Sequence, residues 1–196
     1  MTTCLPDCGV WGLAALLAVA ACAEPTTAPE PPRPTPTAPT LAPDTLDVRG
    51  VTRAVARVEP VGGGGARGTV RLLQTDAGVR VRAELEGLSQ SDFHALQVLR
   101  GRGCDADPAV HLGAEAGTPH GGPYSLPGER HAGDLGNVRG DGGAGRYDRI
   151  DPVLSLSGTG SAVGRAVVVR AGRDDAASPD GAAGEVVGCG VLEPRG

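Results

Sequence analysis

All four histidines of the chain, His94, His111, His120 and His131, fall in its central third. A single histidine on a glycine-rich loop is ordinarily just solvated. Three of these, however, stand with Asp134, which follows His131 at i+3 in "RHAGD". Three imidazoles and a carboxylate make the N/O donor set that suits tetrahedral zinc. His94 is a different case. It sits alone in the strand-like run "SDFHALQVLR", where a second histidine two residues on would complete a pair on one face of a strand.

These donors need a scaffold, and the residues around them read as short strands. Val79, Val81, Ala83 and Leu85 alternate with Arg80, Arg82 and Glu84, the period of a half-buried strand. Similar runs occur at 52–58, 68–74, 92–99, 153–157 and 164–170, punctuated by turn-forming stretches such as "VGGGGARG". No segment shows sustained helical spacing. This pattern predicts an all-β sandwich or barrel with Greek-key connections. Between Arg100 and Asp151 the strand pattern vanishes for about fifty residues, far beyond ordinary connections, and loops of that length carry function, a disulfide or a metal.

The chain of 196 residues suits one domain with appendages. Its 32 glycines, 17 prolines and 2% aromatic residues leave Val, Leu and Ala to build the core. A net charge of −5 supplies no basic stripe, which sets nucleic acid aside as a partner. The apolar run from Val10 to Ala21 is too short to span a membrane and leads straight into proline-rich sequence. Residues 1–21 therefore read as a signal peptide. "VAAC" resembles a bacterial lipobox, which would make Cys22 the lipidated first residue of the mature chain; an ordinary cleaved signal peptide is the alternative. Residues 22–44, rich in Pro, Thr, Ala and Glu, read as a disordered tether, and 45–196 as the folded domain. The expected location is the bacterial cell envelope, with the membrane reached through the lipid at Cys22. Cys4, Cys8 and Cys22 fall in the leader or at its end, so the domain retains Cys104 and Cys189, and two cysteines in an exported domain point to one disulfide.

Together "DFHALQ", "GCD", "PHGGP", "ERHAGDLGNV", "SLSGTGSAVGRAVVVRAGRDD" and "GCGVLEP" resemble the copper/zinc superoxide dismutase family in its bacterial exported form, over about residues 48–194. The resemblance implies an eight-stranded Greek-key β-barrel with two long loops and a disulfide between Cys104 and Cys189. It implies zinc as cofactor, with His111, His120, His131 and Asp134 as ligands, and Asp174 as an outer carboxylate that orients ligand histidines. His111 would also bridge to copper.

The copper set matches poorly. The family's Phe-His-x-His aligns with Phe93-His94-Ala95-Leu96, leaving His94 as the residual copper-type ligand and Leu96 in place of the second. Arg170 in "VVRAG" stands where the family has another copper histidine, and Val186 where it has its active-site arginine. Copper is therefore not expected, nor is dismutation, because zinc has no accessible redox couple. Two other readings remain open here: a working dismutase with an atypical copper site that recruits Gln97, and a binding or scaffold module at the envelope. Family members form dimers through varied surfaces, so a homodimer is compatible with the sequence, which names no protein partner.

Overall fold

The computed structural model describes residues 48–90, 92–115 and 117–196. The leader, Cys22 and the tether lie outside these residues. Among the described residues there is no helix, and nine strands form the structure: β1 Arg53–Pro60, β2 Arg67–Thr75, β3 Gly78–Glu86, β4 Phe93–Val98, β5 Asp134–Asp141, β6 Ala144–Asp151, β7 Ala166–Arg170, β8 Val186–Val191 and β9 Glu193–Pro194. The antiparallel order β2-β3-β6-β5-β4-β7-β8-β1 closes on itself through the β1–β2 pairing, and β9 adds to β1. The barrel thus has eight strands. The chain crosses over where β3 pairs with β6 and β4 with β7, which is Greek-key connectivity.

Period two explains the core. Val79, Val81, Ala83 and Leu85 are buried as expected, and their arginine and glutamate neighbours face outward. Together with Leu72, Leu96, Leu135, Val167 and Val169 they fill the barrel interior. On the outside, Asp148 takes Arg80 and Arg82 at 2.7 and 2.9 Å, and the two guanidiniums hold its carboxyl down at about 2.

Two expectations are corrected. The stretch from 100 to 151 is not wholly strandless, since β5 and β6 form a hairpin within it. Its alternation was obscured by the glycines of "DLGNVRGDGGAGRYDRID", yet the turn was legible: Gly142 and Gly143 both have positive φ, 57° and 84°, as a two-residue hairpin turn requires. Residues 153–157 form no strand and contribute one isolated bridge, Ser155 to Ser161. Asp151 caps this segment instead, its Oδ1 accepting from the amides of Val153 and Leu154.

The barrel leaves a long β4–β5 connection and the 171–185 connection between β7 and β8. The first is anchored at one end by the Cys104–Cys189 disulfide, which ties it to β8 across 85 residues of sequence. A closure of that length contributes up to about 4–5 kcal/mol in the chain-entropy picture.

Candidate metal centre

The β4–β5 connection delivers three imidazoles to the start of β5. His111, His120, His131 and Asp134 are all buried, with one donor atom from each lying within 4.8 Å of the others. The nitrogens crowd around a single oxygen: Asp134 Oδ1 is 2.7 Å from His111 Nδ1, 3.1 Å from His120 Nδ1 and 3.3 Å from His131 Nδ1. Ligands held 2.0–2.1 Å from a tetrahedral zinc lie about 3.3 Å from one another.

The far sides of these groups are occupied in the way a metal site requires. Asp134 Oδ2 accepts from the amides of Gly121 and His131 at 3.1 and 2.8 Å, which turns Oδ1 toward the histidines. His131 Nε2 donates to the Thr118 carbonyl at 3.0 Å and His120 Nε2 to Asp174 Oδ1 at 2.6 Å. Both acceptors lack a proton, so each ring keeps a hydrogen on Nε2 and turns Nδ1 toward the cluster, the atom that would give its lone pair to a bound metal. His120 Nδ1 is buried without an aligned hydrogen bond. An orphaned buried nitrogen is costly in the absence of a ligand, and zinc fits this donor set.

Burial works against the charged form of His120, but the Asp134 carboxylate beside Nδ1 and the Asp174 carboxylate on Nε2 outweigh it and raise its pKa to about 9. Burial also opposes the charge of Asp134, and the bonds from His111 and His120 overcome it, holding that carboxyl well below the usual range.

A buried ion pair supports the centre from below. Arg130 Nη2 contacts both oxygens of Asp151 at 2.6 Å, while Nη1 donates to the carbonyls of His131 and Asp134 at 3.1 Å each. One guanidinium thus fixes the backbone of two of the four cluster residues. Sequence reading missed Arg130, because nothing in "GERHAGD" distinguishes it from a solvated arginine.

The next seat along β4 is arranged differently from expectation. His94 is not part of the cluster: its Nδ1 donates to the Arg170 carbonyl at 3.0 Å and its Nε2 accepts from the Ser89 amide at 3.1 Å, so neither nitrogen is free for a metal. Leu96 belongs to the barrel interior with Val98. By strand alternation the opposite face of β4 carries Gln97, and Leu99 just beyond the strand continues it; Leu99 bridges to His111 and packs with Val168 and Cys189 outside the interior core. His94 and Leu96, the positions that the motif match selects, therefore do not face the cluster side by side, and the polar residue of this apolar run, Gln97, lies between Leu96 and Val98.

Two bulges set this seat. Leu96 pairs with Gly136 but Gln97 with Asp134, so Leu135 is an extra residue on β5 and Gly136 takes φ +86°. Val169 pairs with Gly188 but Arg170 with Val186. Of the expected residues, Arg170 and Asp174 therefore meet at Gln97, and Val186 stands opposite Arg170 in the β7–β8 register. Arg170 Nη1 donates to Gln97 Oε1 at 3.2 Å, and Gln97 Nε2 to Asp174 Oδ2 at 3.3 Å.

A closed antiparallel barrel with a His₃Asp centre under a disulfide-anchored loop defines a metal-binding β-barrel protein of the superoxide dismutase type. The copper/zinc superoxide dismutase (SODC) family model matches residues 66–192, and the chain belongs to that family. It is similar to superoxide dismutase [Cu-Zn] of Paramecium bursaria Chlorella virus 1, with 33% identity over 75% of this chain and 81% of the relative. Superoxide dismutase [Cu-Zn] A of Xenopus laevis is 37% identical over 67% of this chain and 91% of the relative. Among solved structures, the clock protein EA4 superposes with a TM-score of 0.65 and 29% identity, covering 74% of this chain and 96% of that one.

Proposed function

We propose that this chain is a zinc-holding member of the copper/zinc superoxide dismutase family that does not dismute superoxide. The observation that carries the reading is the buried guanidinium of Arg170 against Gln97. Copper in a dismutase needs a field of imidazole nitrogens. On this side of the cluster an arginine offers no lone pair and a positive charge, Leu99 offers only carbon, and the amide of Gln97 is engaged at both ends. Of the two imidazoles assigned to copper from sequence, His94 has both nitrogens occupied, and only His111 keeps an unpartnered Nε2. The residues present fit zinc and do not fit copper.

The reading includes export: cleavage before Cys22, lipid attachment there, and display of the barrel on its tether at the cell envelope. It is supported by the apolar run, the "VAAC" sequence and the disulfide. Mass spectrometry of the N-terminal peptide tests it, the expected product being a diacylated Cys22.

Metal analysis and a dismutase assay on the purified chain test the central claim. The expected result is about one zinc per chain, negligible copper and no turnover; stoichiometric copper with turnover establishes the rival reading, a working dismutase like its relatives. Zinc uptake also has a pH signature. Without metal, His120 with its pKa at about 9 is a cation at neutral pH, and zinc must expel that proton. Below pH 9 zinc affinity therefore falls as pH falls, and calorimetry at pH 7 in buffers of different ionisation enthalpy should register about one proton released. No proton release counts against His120 as a ligand.

A further inference from the structure

We propose that Arg170 is an internal cation standing in for the second metal, and that through Gln97 and Asp174 it holds His120 in the orientation that zinc requires. The inference rests on the zinc reading above and goes beyond it by assigning Arg170 and Gln97 as positioning residues of that site.

Four buried side chains form one line of contacts: Arg170 Nη1 to Gln97 Oε1 at 3.2 Å, Gln97 Nε2 to Asp174 Oδ2 at 3.3 Å, and Asp174 Oδ1 to His120 Nε2 at 2.6 Å, with His120 Nδ1 on the cluster side. The line has one polarity. A guanidinium only donates and an ionised carboxylate only accepts, so the Gln97 amide can satisfy both neighbours in one orientation and in no other. Asp174 in turn can accept only while His120 carries a proton on Nε2, which makes Nδ1 the nitrogen that binds metal once its own proton is displaced. Arg170 thus stands at the head of a sequence of hydrogen bonds that ends on a ligand lone pair.

The head of the line is itself anchored. Arg170 Nε donates to the Gly184 carbonyl at 2.8 Å, Nη2 shares that acceptor, and Nη1 also reaches the Pro108 carbonyl at 3.0 Å. One side chain therefore joins β4, the disulfide-anchored connection and the 171–185 connection, a cross-link of the kind a metal ion makes. Arginine suits that role because its fork is rigid and it keeps its charge. Asp174 is held by Asn137, whose Oδ1 accepts from the Asp174 amide at 2.7 Å and whose Nδ2 donates to its carbonyl at 3.3 Å. The main chain at Gly181 closes over the line: a Cβ there would lie 2.9 Å from Asp174 Oδ1, 3.0 Å from Gln97 Nε2 and 3.1 Å from His120 Nε2. His131 is oriented independently by the Thr118 carbonyl, so the effect falls on His120 alone.

The test uses the full chain and its Arg170→Met, Arg170→Lys, Gln97→Met and Arg170→Met/Gln97→Met variants. Zinc affinity is read by chelator competition, and ligand geometry by the visible absorption of cobalt(II) at the same site. Arg170→Met and Gln97→Met should each weaken zinc about tenfold, the lower end for loss of a partner behind a ligand, and shift the cobalt bands. The double variant should lose no more than either single, because both changes cut one line. Arg170→Lys, which keeps the charge but cannot span three acceptors, should fall between. Should Arg170→Met not fold, Gln97→Met leaves the guanidinium on its backbone carbonyls and carries the same test. Zinc uptake with unchanged affinity and unchanged cobalt bands in these variants, or additive losses in the double, overturns the inference alone. No zinc uptake by the wild type overturns the zinc reading and the inference with it.

Discussion

Replacing Gln97, Leu99 and Arg170 together by histidine should convert a chain that retains no copper into one that binds about one copper ion, the number a single added site would hold. Three imidazoles would then stand on the metal side of β4 and at the end of β7, beside His111, whose Nε2 is buried without a partner. No single change suffices. Gln97→His or Leu99→His alone leaves the Arg170 cation in the seat, and Arg170→His alone leaves an aliphatic and an amide side chain where ligands must reach. The control is Leu96→His with Arg170→His, the pair that the motif match alone would select. Leu96 lies in the barrel interior, so that variant should gain no copper and should lose about 3 kcal/mol of stability from an imidazole buried without partners. Copper titration followed by pulse-radiolysis rates reads the series. The triple variant should dismute slowly, because Val186, across from position 170, supplies no charge to draw in superoxide. Adding Val186→Arg should raise the rate about tenfold at low salt and steepen its decline with ionic strength. Stoichiometric copper in the Leu96 control, or in the wild type, contradicts the placement of the seat.

Arg130→Met should be the most destabilising single change near the centre. It leaves Asp151 ionised in a site where both side chains have no solvent exposure, and breaking a buried pair by removing one partner costs about 3–5 kcal/mol. Two amides still reach Asp151 Oδ1, which places the expectation near the lower end. The carbonyls of His131 and Asp134 lose their donor as well. Urea unfolding with metal chelated isolates the ion pair, and the expected loss is about 3 kcal/mol, equivalent to roughly 10 °C in thermal midpoint for a domain of this size. Zinc affinity measured separately should also fall, since the backbone of two ligands loosens. A change under about 1 kcal/mol, the size of an exposed pair, would show that Asp151 is satisfied by its amides.

Much of this architecture was legible from local chemistry. Alternation in "VRVRAELE" settles which face of β3 is buried, because side chains two apart must share a face. The donor set at His111, His120, His131 and Asp134 could be read from residue types, since three imidazoles and a carboxylate make an N/O set that suits tetrahedral zinc. The Cys104–Cys189 pair followed from having two cysteines in a domain read as exported, and the structure joins them. The β5–β6 hairpin was hidden by glycines that contribute no hydrophobic signal, although their positive φ at 142 and 143 is what lets the turn form.

What the sequence by itself determined is the membership of the cluster: barrel strands, three histidines with Asp134, and an arginine at position 170. Only the tertiary structure decided which β4 side chains face it. A shift of one residue along a strand exchanges every side chain between interior and exterior, and the pairing of β4 with β5 and β7, bulges included, sends Leu96 inward and Gln97 outward. The role of Arg130 was likewise decided by folding, because Asp151 is 21 residues away in sequence. A charge becomes a structural element only when its partner and its burial are both supplied by distant parts of the chain.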